Sequence, residues 1–384
     1  MKLILEPADG VAPLLAAIKK ARKSIEIAIF RFDRKDIEAA LKAAAARGVR
    51  VTALIAFASR GGEKSLRKLE LRFLEAGIIV ARTADDLTRY HDKYMLIDRR
   101  ILYVLSFNFT TLDIGHSRGF GIVTTHSTFV TEAVKLFKAD CTRIAFKSKS
   151  ETFVVSPANS RQVLGAFLKK AKTQLLIYDP KISDTEMLRI LNERVKAGVD
   201  VKVIGQVSGR GTVTARKLAG MRLHTRTIIR DRRQAFVGSQ SLRLGELDSR
   251  RELGLVVHDA RIVKTLIDTF EADWDKTSTK SASAPTDKTD KTDKTEKTGA
   301  AADQSGASQK EVATAVKVFT KELAPLATTV KKAVRLAVVK AGEDVLHDSD
   351  VKATMKKVVK QAVKEAVKDA VHAAQDAMPR RRAR

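Results

Sequence analysis

The sequence predicts an α/β protein of two similar lobes, followed by a flexible linker and a helical tail. Three observations support this fold class. An internal duplication covers the first 275 residues, strand and helix patterns alternate in both copies, and the composition changes sharply after Trp274. A chain of 384 residues has room for two or three domains. We expect lobes at 1–148 and 149–275, a linker at 276–310 and a tail at 311–384.

Two segments of the duplication repeat at an offset of 150 residues. AIKKARKSIEIAIF from Ala17 corresponds to FLKKAKTQLLIYDP from Phe167, and both join a basic helix end to an apolar strand. ARGVRVTALIA from Ala46 corresponds to KAGVDVKVIGQ from Lys196, with the same passage from helix through glycine to strand. This alternation favours a mixed α/β lobe around a largely buried sheet.

A third pair of segments begins at Arg89 and Arg222 and aligns without a gap at an offset of 133. The smaller offset means that the first copy holds 17 additional residues. We expect this extra material to lie between Phe57 and Tyr90.

The third pair carries one pattern twice: a histidine, a basic residue two positions later and an aspartate five positions after that. The residues are His91, Lys93 and Asp98 in one copy, and His224, Arg226 and Asp231 in the other. On a strand, residues two apart face the same side, so each histidine projects together with its cation. A cation can hold phosphoryl oxygens while an imidazole attacks phosphorus or moves a proton. The pattern therefore indicates a phosphate-bearing substrate.

A small polar cluster begins eight residues beyond each aspartate. It consists of Ser106 and Asn108 in the first copy and of Ser239 and Ser241 in the second. We expect these side chains to donate further hydrogen bonds to the phosphate. For the two aspartates the sequence leaves two interpretations open, a role in the site or the capping of a turn.

Over residues 1–275 the sequence resembles the phospholipase D superfamily, whose motif is His-x-Lys-x-x-x-x-Asp, then Gly-Ser-x-Asn, then Glu, twice per chain. The resemblance implies phospholipase D-like α/β/α lobes that form one pseudo-twofold unit with a single pooled site. It implies that one histidine becomes a covalent phosphohistidine, while the other protonates the leaving group and then activates water or an alcohol. It also implies that the Lys and Asn side chains bind the phosphate, and that no metal or other cofactor takes part.

Each lobe departs from the family motif. In the first lobe Leu105 replaces the glycine, and Gly119 stands where the family has the glutamate that orients the histidine. The resemblance therefore leaves the orientation of His91 without support.

In the second lobe Arg226 replaces lysine and Ser241 replaces asparagine, whereas Ser239 and Glu252 remain. Arginine still grips phosphate, with a different geometry. The resemblance to the family favours His91 as the nucleophile. The better-preserved surroundings of His224 favour His224 instead.

The charge predicts an anionic partner. Of the net charge of +27, residues 276–384 contribute +9 and residues 1–275 contribute +18. Such a surface attracts nucleic acid or an anionic membrane. A single cysteine, Cys141, excludes an intramolecular disulfide framework and multi-cysteine zinc sites. No apolar run reaches about 18 residues, so we expect a cytoplasmic protein that can associate peripherally with the inner membrane face.

The tail repeats apolar residues at helical spacing from Val351 to Val371. Such a helix could lie on an anionic membrane, pair with a partner helix, coat DNA or remain a solvated appendage.

The leading hypothesis is a phospholipase D-type phosphodiesterase or phosphatidyltransferase that acts on phospholipids, as cardiolipin-synthase-like members do. One alternative is a metal-independent nuclease of the same superfamily. Another is a catalytically weak scaffold that binds nucleic acid or an anionic membrane through the basic body and tail.

Overall fold

The computed structural model describes residues 1–58, 62–209 and 212–277. The chain divides into two units, Met1–Asp290 and Lys291–Arg384, and every described residue belongs to the first. The predicted tail lies outside the described residues, as does the predicted linker apart from Lys276 and Thr277.

The first lobe alternates strands and helices as the repeat pattern predicts. Its elements are β1 (Lys2–Glu6), α1 (Ala12–Lys20), β2 (Ser24–Ile29), α2 (Lys35–Ala46), β3 (Arg50–Ile55), α3 (Glu63–Glu75), β4 (Ile79–Arg82), β5 (Arg89–Tyr90), β6 (Tyr94–Ile97), β7 (Ile101–Leu105), α4 (Thr111–His116), β8 (Ser117–Thr124) and α5 (Ser127–Thr142).

The second lobe follows the same plan. Its elements are β9 (Phe153–Ser156), α6 (Ser160–Lys169), β10 (Gln174–Ile182), α7 (Thr185–Lys196), β11 (Asp200–Val207), β12 (Thr214–Arg216), β13 (Arg222–Leu223), β14 (Arg226–Arg230), β15 (Gln234–Gly238), α8 (Leu244–Asp248), β16 (Arg250–Val257) and α9 (Ala260–Asp275).

Each lobe contains one mixed sheet, and each sheet accepts one strand from the other lobe. The first sheet has the order β1-β8-β7-β6-β2-β3-β4, with β13 of the second lobe paired to β8. The second has the order β12-β11-β10-β14-β15-β16, with β9 of the same lobe paired to β16. The strand β5 of the first lobe also pairs with β16. The predicted α/β fold of two similar lobes is confirmed. The boundary at 148/149 falls in the connection between α5 and β9, and we retain it as a proposal.

Glycine ends the same helix in both lobes. Gly48 after α2 and Gly198 after α7 have positive φ angles of 83° and 84°. Glycine adopts this left-handed conformation without a Cβ clash, so the chain leaves the helix there and enters the next strand. The predicted passage from helix through glycine to strand is therefore present in both copies.

The additional residues of the first copy include helix α3, which lies between the parallel strands β3 and β4. In the second lobe, the described residues between β11 and β12 form no helix. The insertion therefore enlarges the far edge of the first sheet and leaves the central strands alike.

The two sheets share a central apolar core, into which α5 and α9 also pack. Its aromatic centre joins Phe120 of the first lobe to Tyr178 of the second, at 5.5 Å between ring centroids. Tyr178 in turn packs against Phe270 of α9 at 5.0 Å. Two outer cores cover the opposite faces of the sheets. Burial of both inner faces in one core holds the lobes together.

Two buried ion pairs connect the lobes at related positions. Arg118 of β8 bonds to Asp273 of α9 with a shortest N–O distance of 2.7 Å, and Arg251 of β16 bonds to Asp140 of α5 at 3.0 Å. The two arginines, like the two aspartates, are separated by the offset of 133 found in the sequence. The two arginines lie on β8 and β16, the strands with which β13 and β5 pair.

Candidate active site

Short strands deliver each histidine to the sheet of the opposite lobe. β5 pairs in parallel with β16, and the backbone N–H of His91 donates to the carbonyl of Arg251 at 2.8 Å. β13 pairs in parallel with β8, and the N–H of His224 donates to the carbonyl of Arg118 at 3.1 Å. Both histidines therefore lie where the two lobes meet.

His91 has a carboxylate partner from the other lobe. Its Nδ1 atom lies 2.9 Å from both carboxylate oxygens of Glu252. The register explains this contact, because Arg251 pairs with Tyr90 and the next residues, Glu252 and His91, therefore lie side by side. The ring of Phe30 packs edge-on against the imidazole, at 4.6 Å between centroids. With Nδ1 engaged, Nε2 on the other side of the ring remains for a substrate.

The expectation that Gly119 leaves His91 without an orienting carboxylate is wrong. The position where the family has its glutamate, Gly119 in one lobe and Glu252 in the other, lies beside the histidine of the opposite lobe. The reason is that the short strands cross between the sheets. Arg118 pairs with Leu223, so Gly119 lies beside His224. His224 is therefore the histidine that lacks a glutamate on the adjacent strand.

His224 faces a different carboxylate. Its Nδ1 atom is 3.6 Å from Oδ2 of Asp113 in α4, within ion-pair distance and beyond hydrogen-bond distance. Within the described part of the chain this Nδ1 atom has no hydrogen-bond partner. A Cβ placed on Gly119 would lie 2.9 Å from a ring carbon of Phe107, so that aromatic ring fills the space beside the glycine.

Burial lowers the pKa of both histidines well below the usual value. Lys93 and Arg226 lower the pKa of His91 further, and the same two cations also lower that of His224, while Asp113 opposes them there. Cations from both lobes thus act on both rings, so the two motifs lie near each other.

The two basic motif residues make equivalent contacts. Nζ of buried Lys93 donates to the carbonyl of His91, and a guanidinium nitrogen of Arg226 donates to the carbonyl of His224 at 2.6 Å. Burial lowers the pKa of Lys93 to about 7, with Glu252 opposing and Arg226 adding to the shift. Each basic side chain thus bonds back to the carbonyl of the histidine two positions before it.

Asn108 is held by the carboxylate that faces His224. Its backbone N–H and its side-chain amide donate to Oδ2 of Asp113 at 2.8 and 2.7 Å. Its Oδ1 atom is buried and has no hydrogen-bond partner in the described part of the chain. Ser106 Oγ accepts from the backbone N–H of Phe120 at 2.9 Å, so its hydroxyl is bonded to the backbone of β8.

The serines of the second lobe differ from each other. Ser239 Oγ accepts from the N–H of Leu253 at 3.2 Å, and its hydrogen bond to Glu252 lowers the pKa of that carboxyl against the larger opposite effect of burial. The hydroxyl of Ser241 instead donates to buried Asp179. Ser239 therefore contacts the carboxyl group that pairs with His91. The Ser241 hydroxyl donates its hydrogen to Asp179, so it does not have the role of phosphate donor that the sequence predicts.

The structure corrects the catalytic assignment of the two motif aspartates. Asp98 follows β6 at the end away from His91, and its carboxylate accepts from the backbone N–H groups of residues 22–24 at 2.6–3.1 Å. Asp231 accepts from the N–H groups of residues 172–174 in the same way. The aspartates have positive φ angles of 54° and 51°. Both cap turns, because their carboxylates are already occupied by backbone donors.

Three site residues were missed by the sequence analysis. Asp113 and Glu246 had a detectable signal, since each lies 22 residues beyond its own histidine in the aligned copies. Glu246 accepts from the backbone N–H of Ser241 at 2.9 Å, as Asp113 does from Asn108. Phe30 had none, because its counterpart in the second copy is a proline.

A family model described as "Cardiolipin synthase, PLD-like domain" matches residues 14–141 and 164–274, which is more than half of the chain. The chain belongs to the phospholipase D superfamily. The match covers both lobes of this phospholipase D-like protein. Among its described residues, none of the helices is both long and apolar enough to cross a bilayer.

Curated relatives match part of this phospholipase D-like chain. The "Mitochondrial cardiolipin hydrolase" of Mus musculus is 31% identical over 136 residues, which are 35% of this chain and 58% of the mouse protein. The protein of that name from Canis lupus familiaris is 31% identical over 110 residues, 29% of this chain and 42% of the dog protein. The chain spans roughly half the length of these relatives.

Two solved structures show the same two-lobed fold. A polyphosphate kinase from Porphyromonas gingivalis superposes with a TM-score of 0.59 and 21% identity, over 71% of this chain and 50% of that one. A phosphatidylserine synthase from Haemophilus influenzae superposes with a TM-score of 0.53 and 11% identity, over 71% of this chain and 85% of that one. At these identities the likeness concerns the fold alone.

Proposed function

We propose that this chain is a phospholipase D-type phosphodiesterase or phosphatidyltransferase that acts on phospholipids through a covalent phosphohistidine. The observation that carries the proposal is the His91–Glu252 pair, with His224, Lys93 and Arg226 around it at the junction of the lobes. Two imidazoles with two cations fit a phosphodiester, whose charge the cations bind and whose phosphorus an imidazole can attack.

In the first step, His91 is the nucleophile. Glu252 binds Nδ1, which fixes the tautomer with a lone pair on Nε2, and burial favours the neutral ring by lowering its pKa. The Nε2 lone pair forms a bond to phosphorus as the bond from phosphorus to the leaving oxygen breaks. That oxygen takes a proton from Nε2 of protonated His224. Lys93 and Arg226 neutralise the charge that develops on the phosphoryl oxygens.

In the second step, His224 acts as a base. An incoming water or alcohol oxygen bonds to phosphorus and gives its proton to Nε2 of His224. The nitrogen–phosphorus bond breaks, and His91 recovers its lone pair. The acceptor decides the outcome, since water gives hydrolysis and a lipid alcohol gives phosphatidyl transfer.

The family description and the mouse relative support a phospholipid substrate. The family model names cardiolipin synthase, and the mouse relative is named for hydrolysing cardiolipin. Cardiolipin and phosphatidylglycerol are phosphodiesters of glycerol, so they offer the group that the two histidines and two cations would bind.

A nuclease of the same superfamily is the second candidate, favoured by the charge of the body. Residues 1–275 carry a net charge of +18. Arg222 and Arg243, beside the two site acids Asp113 and Glu246, keep 43% of their side-chain surface exposed. A basic rim of this kind attracts a nucleic-acid backbone as well as an anionic lipid surface.

Substrate choice is tested by incubating the protein in EDTA with cardiolipin or phosphatidylglycerol vesicles, and separately with labelled single-stranded DNA. We expect release of phosphatidic acid or transfer of the phosphatidyl group, with intact DNA. Cleavage of DNA with untouched lipid would favour the nuclease instead. Saturable binding of the DNA or of the vesicles, without cleavage of any phosphodiester, would favour a scaffold.

The mechanism is tested with phosphatidyl-4-nitrophenol, whose leaving group departs without a proton donor. His224→Ala should release about one nitrophenolate per chain in a burst and accumulate an acid-labile phosphoenzyme, since its second step lacks a base. His91→Ala should show no burst, and His258→Ala, which changes an exposed histidine outside the site, should turn over like the wild type. Full activity in both site variants would refute the two-histidine mechanism.

A further inference from the structure

The first lobe lacks an acidic residue at the position that would serve His224. Glu252 lies beside His91 in the pairing of β16 with β5, and the equivalent neighbour of His224 in the pairing of β8 with β13 is Gly119. The space beside Gly119 is filled by Phe107, whose ring would come within 2.9 Å of an added Cβ. A longer acidic side chain there would collide with that ring.

A second carboxylate reaches His224 from another element. Oδ2 of Asp113 in α4 lies 3.6 Å from Nδ1 of His224, and the Asp113 side chain is 3% exposed. Its other oxygen, Oδ1, forms an ion pair with Arg222 at 2.5 Å. The backbone N–H of Asp113 donates to the side chain of Thr110, the N-cap of α4, at 3.3 Å. Asp113 is thus held both by its carboxylate, through Arg222, and by its backbone, through Thr110.

The same oxygen that faces His224 also holds Asn108. The amide nitrogen and the backbone nitrogen of Asn108 both donate to Oδ2 of Asp113, at 2.7 and 2.8 Å. This fixes the amide so that its buried Oδ1 is the atom left without a partner in the described residues. One carboxylate oxygen therefore faces both the Asn108 amide and the His224 imidazole.

The pseudo-twofold counterpart of Asp113 does different work. Glu246 pairs with Arg250 at 3.0 Å and lies 3.9 Å from Arg226. His91 already has Glu252 on its Nδ1 atom. The two lobes therefore present an acid at the same place in the fold, and only the acid of the first lobe faces a histidine that lacks another carboxylate.

We infer that Asp113 positions and charges His224, in place of the glutamate that β8 lacks at Gly119. This inference rests on the proposed function, because it concerns the proton that His224 gives to the leaving oxygen. When His224 takes up that proton, the Nδ1–H faces Oδ2 of Asp113 and Nε2–H faces the substrate. Asp113 is a positioning residue, since it acts through His224.

The ionisation of Asp113 agrees with this role. Burial acts to raise the pKa of its carboxyl, but the charges of His224 and Arg222 and the hydrogen bonds from Asn108 outweigh burial and lower it to about 2. The Asp113 carboxylate is therefore charged at any pH well above 2. For His224, burial lowers the pKa and Asp113 is the charge that raises it.

The test compares Asp113→Asn with wild type on two lipids that differ in the leaving group. Phosphatidylglycerol needs a proton donor for its alkoxide, whereas phosphatidyl-4-nitrophenol does not. We expect kcat/KM for phosphatidylglycerol to fall about 100-fold, and that for phosphatidyl-4-nitrophenol to fall less than about 5-fold. The basic limb of the pH profile for phosphatidylglycerol should move to lower pH, because the charge that favours protonated His224 is gone.

A double variant separates action through His224 from a general structural effect. Asp113→Asn combined with His224→Ala should be no slower on phosphatidylglycerol than His224→Ala alone. Asp113→Glu should restore part of the lost activity, and it serves as the second variant if the asparagine form does not fold. Asp268→Asn, an exposed acid paired with Lys264 on α9, is the matched control with unchanged activity.

The outcomes distinguish the inference from the function on which it rests. Wild-type protein that turns over neither lipid would overturn the proposed function. An active wild type with an unaffected Asp113→Asn, or with a folded variant that loses equal activity on both lipids and keeps its pH profile, would overturn the inference alone.

Discussion

The Nδ1 atom of His91 lies 2.9 Å from both carboxylate oxygens of Glu252, although 161 residues separate the two in the sequence. The contact crosses the junction of the lobes, so the proposed nucleophile depends on both halves of the chain. Both side chains are buried, which strengthens the interaction between them.

Glu252→Gln should lower kcat by about 100-fold or more and leave KM for phosphatidylglycerol nearly unchanged. The amide occupies the same space but carries no charge to support the imidazole as it bonds to phosphorus. Steady-state kinetics measure the effect, with Glu193→Gln on the exposed face of α7 as control. A Glu252→Gln variant within twofold of wild type would show that the carboxylate does not assist His91.

Asp98→Ala and Asp231→Ala should each lower the free energy of unfolding by about 1–3 kcal/mol, because each removes the acceptor for several backbone N–H groups. The kcat of the folded protein should stay within about twofold of wild type, since both carboxylates cap turns. Urea unfolding and activity below the melting temperature measure the two effects. A large loss of kcat in a fully folded variant would return these aspartates to the catalytic site.

Arg118→Met should destabilise the protein by about 3–5 kcal/mol, because it leaves buried Asp273 without its cation. Tyr178 continues to donate to Asp273 at 2.7 Å but supplies no charge. Arg189→Met is the control, since its pair with Glu193 is exposed and should contribute less than about 1 kcal/mol. Equal unfolding midpoints in urea for the two variants would mean that the ion pair between the lobes adds no stability.

Glu6→Gln should stabilise the protein above pH 8 and have little effect near pH 4. The carboxyl group of Glu6 is fully buried. Burial is the main cause that raises the pKa of Glu6 to about 8, with Asp9 adding and with Gly10 and Arg34 opposing.

The direction of this pH dependence of stability follows from proton binding by Glu6 in the folded and the unfolded protein. The folded protein keeps the Glu6 proton up to about pH 8, whereas the unfolded chain releases it near 4.5. Wild type therefore loses stability as the pH rises between these values, by an amount on the order of a few kcal/mol. Melting temperatures of both proteins at pH 5 and pH 9 measure the difference. A constant difference at the two pH values would contradict the raised pKa of Glu6.

The repeat in the sequence predicted the α/β fold class and the two similar lobes, and the family resemblance predicted that the lobes form one unit. Alternating strand and helix patterns at fixed offsets identified both lobes, and the 17 additional residues located the insertion that contains α3. These features follow from local periodicity and from glycine at helix ends, which are properties of neighbouring residues.

The partners of the histidines could not be predicted in the same way. The contacts of His91 with Glu252 and of His224 with Asp113 depend on strands that cross between sheets, and this crossing leaves no mark on local periodicity. Asp98 and Asp231 were assigned to the site because they belong to the motif, whereas their left-handed backbone makes them turn caps. Motif membership identified the histidines and cations that the structure brings together, but not the roles of individual carboxylates.

The crossed strands also bear on how such a site can diverge. In a pair of identical chains, any substitution appears on both sides of the symmetry axis at once. Here the two halves are one polypeptide, so Gly119 with Phe107 on one side can coexist with Glu252 on the other. Within one polypeptide the two imidazoles can therefore have unequal surroundings, and a single substitution can change the surroundings of one without changing those of the other.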